Sequence, residues 1–263
     1  MADQTGSIGL AAGLLAASRH AVAMTGAGVS VESGIPTFRG DDGLWARLGG
    51  PDHDQYQRFL ADPQAYWKRE LERSVEPYVV ELRKTVAVAG PNNGHRALAR
   101  LEALGVLQTV ITQNIDGLHQ SAGSRQVLEI HGSRYKMRCV DCGDRTPRED
   151  LFLSKAPSPC ARCGGRVKFD SVLFGEPIPR AVLEDARAET DRADCVLVVG
   201  TSATVRPAGG LPRIARANGA RLIEVNPNST GITSLCDVAI CETAAIALPL
   251  LADAVSERLR KRG

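Results

Sequence analysis

The segment that decides the fold is Ile111-Thr112-Gln113-Asn114-Ile115-Asp116-Gly117-Leu118-His119. It continues an apolar run at residues 105–110, a pattern that predicts a buried strand. Ligands of open α/β sheets bind beyond the carboxyl ends of the strands, which is where these amide and carboxylate side chains fall. The segment would equally suit a loop in which Asn and Asp cap the next helix. Taken alone, it leaves a binding site and a helix cap both open.

Strand and helix patterns alternate on both sides of this segment. Short apolar runs predict five further strands, at residues 21–24, 126–130, 194–199, 220–225 and 238–241. Such alternation predicts an α/β protein with a parallel sheet and right-handed crossovers. Nearly every strand is followed by small or polar residues, as a dinucleotide site along one edge requires. Residues 41–89 instead carry apolar residues at helical spacing, which predicts an inserted helical module with an aromatic core.

The overall composition is that of a globular protein. The 263 residues are 43% hydrophobic and 24% charged, which are ordinary values, and they allow one large domain or a large and a small one. A net charge of +2 without a basic block disfavours specific nucleic-acid binding, and residues 258–262 are interpreted as a solvated helix end. No apolar stretch could span a bilayer and no basic leader is visible, so we expect a cytoplasmic protein without membrane contacts.

A glycine-rich turn follows the first predicted strand. Thr25-Gly-Ala-Gly-Val-Ser30 has two of the three glycines of a dinucleotide fingerprint, which permit a tight turn and close approach to a pyrophosphate. The loop at residues 33–40 then carries Phe38 beside Arg39. Such a loop could close over a cofactor, with Phe38 shielding the reacting carbon and Arg39 facing phosphate. The alternative is an exposed turn with a packed Phe.

A histidine follows the strand predicted at residues 126–130. His131 would stand at a strand end next to Asn114 and Asp116. Because the ordinary pKa of imidazole is near 6.5, a histidine in this place can act as a general base. The other four histidines are interpreted as structural or exposed: His95 as a helix cap, His20 and His119 as structural, and His53 as exposed.

Four of the seven cysteines have metal-ligand spacing. Cys139, Cys142, Cys160 and Cys163 form two CxxC pairs with 17 residues between them. This spacing is typical of a zinc ribbon, in which four thiolates close the coordination sphere of a structural metal. A redox dithiol, the competing interpretation, needs only one pair. Among the remaining cysteines, Cys195 and Cys241 are predicted to be buried thiols in strands.

Taken together, these motifs resemble the sirtuin family, the NAD-dependent protein-lysine deacylases. The resemblance covers essentially the whole chain, and its motifs occur in the family's order. They are Thr25-Gly-Ala-Gly-Val-Ser30, Gly34-Ile-Pro-Thr-Phe-Arg39, Thr112-Gln-Asn-Ile-Asp116, His131-Gly132, the two CxxC pairs, Phe174-Gly-Glu176, Gly200-Thr-Ser202 and Val225-Asn226.

The resemblance implies a Rossmann-like NAD-binding domain made of residues 1–40, 91–132 and 170–263. A smaller domain would combine a helical module, residues 41–90, with a zinc-ribbon module, residues 133–169. NAD and an acyl-lysine protein or peptide would meet in the cleft between them. In the mechanism that the resemblance implies, the acyl oxygen attacks the nicotinamide ribose carbon, nicotinamide leaves, an alkylimidate forms, and His131 acts as general base on the ribose hydroxyls. The other products are free lysine and O-acetyl-ADP-ribose.

The family's site residues carry over by position. Gln113 and Asn114 are expected at the nicotinamide ribose, with Asn114 catalytic beside His131, and Ile115 and Asp116 at the carboxamide. The other expected cofactor residues are Gly26, Ala27, Gly28, Phe38, Arg39, Gly200, Thr201, Ser202, Asn226 and Ala244. A substrate strand is expected to pair with Val172, Leu173, Phe174, Gly175 and Glu176.

Two departures concern detail. Thr37 stands where many members have Asp, so a carboxylate contact in the cofactor loop is missing. Members that remove succinyl or malonyl groups carry a Tyr and, three residues later, an Arg, which matches Tyr66 and Arg69. Alignment on Asp62-Pro63 would instead place Glu70 and Arg73 at those positions. Since a Glu would repel an acidic acyl group, we expect acetyl or longer neutral groups.

Three other functions compete with a deacylase. A non-catalytic NAD- or ADP-ribose-binding regulator would predict loss of the histidine or of the Asn/Asp pair, and all are present. A protein ADP-ribosyltransferase would share the cofactor site and differ in its products. A zinc-ribbon nucleic-acid module would need a basic patch with aromatic residues. The sequence does not predict the oligomeric state.

Overall fold

The computed structural model describes residues 2–38, 43–148 and 155–261. Six parallel strands form the main sheet, in the order β3-β2-β1-β7-β8-β9, and three antiparallel strands form a second sheet, in the order β5-β4-β6. The strands are β1 Ala21–Thr25, β2 Leu107–Thr112, β3 Val127–Glu129, β4 Lys136–Cys139, β5 Arg145–Pro147, β6 Val167–Phe169, β7 Cys195–Val199, β8 Arg221–Val225 and β9 Val238–Ile240.

Helices cover both faces of the main sheet. They are α1 Ala2–Ala17, α2 Leu44–Leu48, α3 Gln55–Ala61, α4 Pro63–Ser74, α5 Pro77–Val88, α6 Asn93–Ala103, α7 Leu118–Ser121, α8 Arg180–Arg192, α9 Leu211–Ala217 and α10 Ala244–Arg260. Side chains of α1, α6 and α10 pack on one face, and those of α8 and α9 on the other. All residues of β1 and β7 are therefore buried, which is why these strands are continuous apolar runs. The predicted α/β fold is confirmed.

The direction in which the chain adds strands to the sheet changes between β1 and β7. The chain adds β2 and β3 on one side of β1 and later adds β7, β8 and β9 on the other. A crevice opens at such a switch point, outside the carboxyl ends of the strands, and it is the usual ligand site of this architecture. The segment after β1 forms a 3₁₀ helix, Ala27–Ser33. The dinucleotide fingerprint predicts that an α-helix starts directly after the glycine turn. In this protein the turn leads into a 3₁₀ helix instead.

The helical module and the ribbon share an aromatic core. Phe59, Tyr66 and Trp67 pack with Met137 of β4 and with Leu173. The Trp67 indole Nε1 also donates to the Val167 carbonyl at 3.1 Å. The prediction that the aromatic residues of the insertion form a core is confirmed for these three.

Cys195 and Cys241 differ in burial. Cys195 is buried in β7, as predicted. Cys241 follows the last residue of β9 and is exposed, so the prediction of a buried thiol there was wrong. Residues of a strand alternate between its faces, and in β9 Val238 and Ile240 point inward, which directs Ala239 and Cys241 outward. Among the described residues, no helix is long and apolar enough to cross a membrane.

Gly132 is required by the packing of the turn after β3. Its φ is +79°, and a Cβ added there would overlap the Asp170 carbonyl oxygen. Gly105 has a similar φ of +72° with nothing within 4 Å of an added Cβ. We expect Gly132→Ala to lower the free energy of unfolding by about 2 kcal/mol more than Gly105→Ala. Urea unfolding of both variants measures the difference, and equal losses would show that the overlap is relieved without cost.

Candidate active site

Side-chain amides link the ends of four strands, β1, β2, β7 and β8, at the switch point. Gln113, after β2, donates from Nε2 to the Thr201 hydroxyl at 2.8 Å and to the Thr25 carbonyl at 3.3 Å. Asn226, after β8, donates from Nδ2 to the Thr201 carbonyl at 3.3 Å. Thr201 itself follows β7 and is buried. Gln113, Thr201 and Asn226, predicted separately from three strand ends, therefore form one continuous row.

The glycines of the first turn allow two loops to meet. The Gly26 amide donates to the Val199 carbonyl at 3.1 Å, and the Gly28 amide to the Gly200 carbonyl at 2.8 Å. A Cβ on Gly28 would lie 2.7 Å from the Gly200 Cα, closer than real Cβ contacts allow. Because neither glycine has a side chain, the loops after β1 and β7 can meet through direct backbone hydrogen bonds.

Ser30 is the centre of a buried hydrogen-bond cluster. Its hydroxyl donates to Asp116 Oδ2 at 2.7 Å and accepts from Asn114 Nδ2 at 3.0 Å. Asp116 Oδ1 accepts from the Leu118 amide at 3.0 Å. Asp116 therefore bonds the first amide of α7 and belongs to the cluster at once, and the binding role of this segment stays a prediction. Ser30 was not predicted as a site residue, and its place in the glycine-rich motif was the available indication.

Two buried histidines in contact with each other, His95 and His119, adjoin the cluster. His95 Nδ1 accepts from the Asn92 amide in a capping box, as predicted, which leaves Nε2 to donate to Ser30 at 3.4 Å. The Thr25 hydroxyl donates to Thr112, so His119 Nε2 must donate to Thr25 at 2.9 Å. Burial lowers the pKa of His95 to about 4 and that of His119 to about 3. Both rings are neutral at pH 7 and organise the site by hydrogen bonds rather than by charge.

His131, which follows β3, lies beside the end of β2. Its Nδ1 donates to the Gln113 carbonyl at 3.1 Å, because a carbonyl can only accept. Nε2 is then the acceptor nitrogen. Burial lowers the pKa of His131, against the opposing effect of the Gln113 hydrogen bond. The ring is thus neutral at pH 7, with a fixed tautomer and a basic nitrogen ready to take a proton.

The segment at residues 172–176 runs past His131. The Val172 amide donates to the His131 carbonyl at 2.9 Å, and the Phe174 carbonyl accepts from the Tyr56 amide at 3.1 Å. The Phe174 ring contacts Trp45, with ring centroids 6.0 Å apart. Gly175 has a φ of +78° at this turn. The Glu176 carboxylate is buried against Arg138 and Lys168, so its side chain faces the interior.

The other predicted cofactor residues differ in exposure. Phe38 is half exposed and packs on Trp45 at a centroid distance of 5.9 Å. Ile115 is half-buried, with its carbonyl accepting from the Arg134 amide at 3.0 Å. Ser202 is exposed, and Ala244 is buried at the first residue of α10. Arg39 lies outside the described residues.

The four cysteines form a compact thiol cluster. All four Sγ atoms lie within 4.8 Å of one another. Cys139 and Cys163 have Sγ atoms 3.6 Å apart, and Cys142 and Cys160 have Sγ atoms 3.8 Å apart. Tetrahedral zinc with bonds of about 2.3 Å sets its sulfur atoms about 3.8 Å apart. The predicted ligand set therefore fits structural zinc, and with four thiolates it leaves no open position for catalysis.

Comparison with known proteins gives one family. The Sir2 family model matches residues 26–207. The chain is 45% identical to the NAD-dependent protein deacylase 2 of Pyrobaculum aerophilum, over 95% of this chain and 97% of that protein.

Two solved structures are similar over nearly all of the chain. A Sir2 homolog–NAD complex is 40% identical, with a TM-score of 0.79, covering 94% of this chain and 93% of that one. Sir2Af2 bound to a myristoylated histone peptide is 37% identical, with a TM-score of 0.71, covering 98% of this chain and 100% of that one.

The thiol cluster predicts one zinc ion per chain. We expect Cys160→Ser to lose the metal, because three thiolates and a hydroxyl bind zinc far more weakly than four thiolates. Cys241→Ser, at an exposed cysteine outside the cluster, should retain it and serves as the matched control. Metal analysis of the purified variants measures both. Full zinc content in Cys160→Ser would contradict the assignment.

Proposed function

The chain belongs to the Sir2 family, and from that premise we propose that it is an NAD-dependent protein-lysine deacylase with His131 as general base. The observation that carries this proposal is the fixed tautomer of His131. This residue follows β3 and bonds the Gln113 carbonyl at the end of β2, where Asn114 and Asp116 also lie. A neutral imidazole with a lowered pKa suits proton abstraction near pH 7.

The crevice at the switch point fits NAD. The glycine turn after β1 lies at this crevice, and a turn of this kind lets backbone amides approach a pyrophosphate. Gln113, Thr201 and Asn226 offer hydrogen-bonding groups along one row, and Asn114 and Asp116 lie at its inner end. When bound, NAD supplies the ribose carbon that the acyl oxygen attacks as nicotinamide leaves. We assign Gln113 and Asn114 to the ribose, Ile115 and Asp116 to the carboxamide, and the glycine loops to the phosphates.

We assign the acyl-lysine peptide to the segment at residues 172–176. This segment shares the aromatic core with α4 and contacts His131 through its first amide bond. A peptide that pairs with its backbone would bring its acyl-lysine towards Nε2 of His131, with recognition based on main-chain hydrogen bonds. We likewise propose the division into an NAD domain and a smaller domain of helical and zinc-ribbon modules, with residues 41–90 and 133–169 in the smaller one.

A neutral acyl group suits the described side chains best. Tyr66 is 4% exposed and packs edge-on against Phe59 and Trp67, so it belongs to the aromatic core, and Arg69 is exposed. The Glu70 side chain is more buried than that of Arg69, and its Oε1 lies 3.7 Å from Arg73 Nη1. Burial raises the pKa of Glu70. Because Glu70 already neutralises Arg73, that arginine is a poor partner for an acidic acyl chain. We therefore propose deacetylation, with longer neutral acyl groups as the alternative.

We also propose a cytoplasmic location. All seven cysteines are free of disulfides, and four of them form a thiolate-type metal site. Both features suit a reducing compartment.

Product analysis tests the reaction. With NAD and an acetyl-lysine peptide, we expect nicotinamide, free lysine and O-acetyl-ADP-ribose by mass spectrometry. His131→Ala should lose at least a hundredfold in deacylation while NAD still binds, because the base contributes about 10²–10⁴-fold. His20→Gln, at the opposite end of β1 beside Glu189, is the control. Normal turnover by His131→Ala would defeat the assignment, and ADP-ribose on a protein side chain without deacylation would indicate a transferase.

The acyl preference is tested at Glu70. We expect acetyl-lysine to be preferred over succinyl-lysine in kcat/KM by the wild-type protein. Glu70→Gln should raise succinyl turnover relative to acetyl by about tenfold, since it frees Arg73 to pair with the acidic chain. Glu72→Gln, at an exposed position on the same helix, should leave the ratio unchanged. Faster succinyl turnover by the wild-type protein would instead implicate Tyr66 and Arg69.

A further inference from the structure

Four charged side chains are buried together where the zinc ribbon meets residues 172–176. Lys168 is fully buried, and Arg138 and Asp170 are 6% and 2% exposed. The Glu176 side chain is 2% exposed. The deacylation chemistry above gives no role to these four side chains, although the backbone of Glu176 belongs to the segment assigned to the peptide. A buried charge is costly unless it is paired and hydrogen-bonded, so their arrangement indicates what the cluster supports.

Lys168 uses all three donors of its ammonium group on one loop. Nζ donates to the Phe169 carbonyl at 2.8 Å and to the Ser171 carbonyl at 2.6 Å. The third donor faces Glu176 Oε2 at 2.9 Å. The chain after β6 is therefore bent around a single nitrogen atom, and its two carbonyls are fixed in direction.

Glu176 closes the same loop from its other end. Its Oε2 accepts from the Leu173 amide at 2.8 Å, and its Oε1 accepts from Arg138 Nη2 at 2.6 Å. Arg138 lies in β4, next to the zinc ligand Cys139. Residues 169–176 are thus held internally by Lys168 and Glu176, and Arg138 anchors them to the ribbon.

The loop held in this way carries the segment assigned to the peptide. Between the two ends, the Val172 amide bonds the His131 carbonyl at 2.9 Å. The turn after His131 is tied to the same cluster, because the Ser133 amide donates to Asp170 Oδ2 at 3.2 Å. The base and the segment at residues 172–176 therefore share one buried support.

We propose that Lys168 and Glu176 are positioning residues for the acyl-lysine peptide, which they serve by fixing the backbone of residues 171–174 without touching the substrate. The inference rests on the proposed function, because it names the support of the peptide site. Its consequence is specific: loss of either side chain weakens the peptide site and leaves the NAD crevice intact.

Steady-state kinetics of Glu176→Gln and Lys168→Met test the inference. We expect the peptide KM to rise about tenfold, with kcat and the NAD KM within about twofold of wild type. The double variant should resemble the single ones, because both break the same pair. Arg145→Gln is the matched control, since Arg145 reaches Asp170 at 2.9 Å from an exposed position and contacts neither Glu176 nor the loop carbonyls.

Amide hydrogen exchange of the unliganded proteins provides a readout that does not depend on turnover. We expect faster exchange at residues 171–176 in both variants, with unchanged zinc content and unchanged exchange in β1 and β7. Unchanged exchange at residues 171–176, or equal rises in the peptide and NAD KM, would overturn the inference. A wild-type protein that deacylates no peptide would refute the proposed function instead, and exchange and peptide binding would then decide the role of Lys168 and Glu176.

Discussion

The close backbone contact between the loops after β1 and β7 is the constraint on which the active site depends. The Gly28 amide and the Gly200 carbonyl are 2.8 Å apart, and an added Cβ at Gly200 would lie 2.5 Å from the Val29 amide nitrogen. Gly200 also has a φ of +57°, which disfavours any side chain there. Because these loops meet without side chains between them, Gln113 can reach across to Thr201. The approach of the two loops thus depends on these two glycines.

Within that frame, hydrogen bonds from Ser30 and from the Leu118 amide hold the Asp116 carboxylate. The neighbouring imidazoles are neutral because burial lowers the pKa of His95 to about 4 and that of His119 to about 3. Ser30 mediates instead, as it accepts from Asn114 and donates to Asp116. A carboxylate held by a hydroxyl and a backbone amide keeps its capacity to attract a further amide donor. This arrangement agrees with the proposed role of Asp116 at the carboxamide.

The sequence predicted the fold well because the decisive patterns are local. Continuous apolar runs marked the buried parallel strands, and the CxxC pairs marked the thiol cluster that the structure brings within 4.8 Å. Contacts between distant segments were harder to predict. Ser30 resembles an ordinary residue of a glycine-rich turn until Asp116 is folded against it from 86 positions away.

Lys168 shows where the polarity of alternating residues fails to predict which face of a strand is buried. In β6, Val167 and Phe169 have the apolar side chains, so alternation predicts that they point inward and that Lys168 faces solvent. The structure has Lys168 fully buried and its two neighbours half-buried. The reason is that two carbonyls and the Glu176 carboxylate surround its ammonium group. Burial lowers the pKa of Lys168 to about 8, so the group is still mainly charged at pH 7 and the pair with Glu176 persists.

A structural metal can control a reaction that it does not touch. The thiol cluster holds β4 and β6 at its edge, and from these strands Arg138 and Lys168 reach Glu176. On the other side of the ribbon, Trp67 bonds the Val167 carbonyl and Arg166 bonds the Leu60 carbonyl at 3.3 Å, which joins the helical module to the same strands. The zinc ribbon therefore braces both the segment at residues 172–176 and the helix that carries Glu70. On the assignments proposed above, loss of the metal would disturb peptide position and acyl choice together, although the metal takes no part in the chemistry.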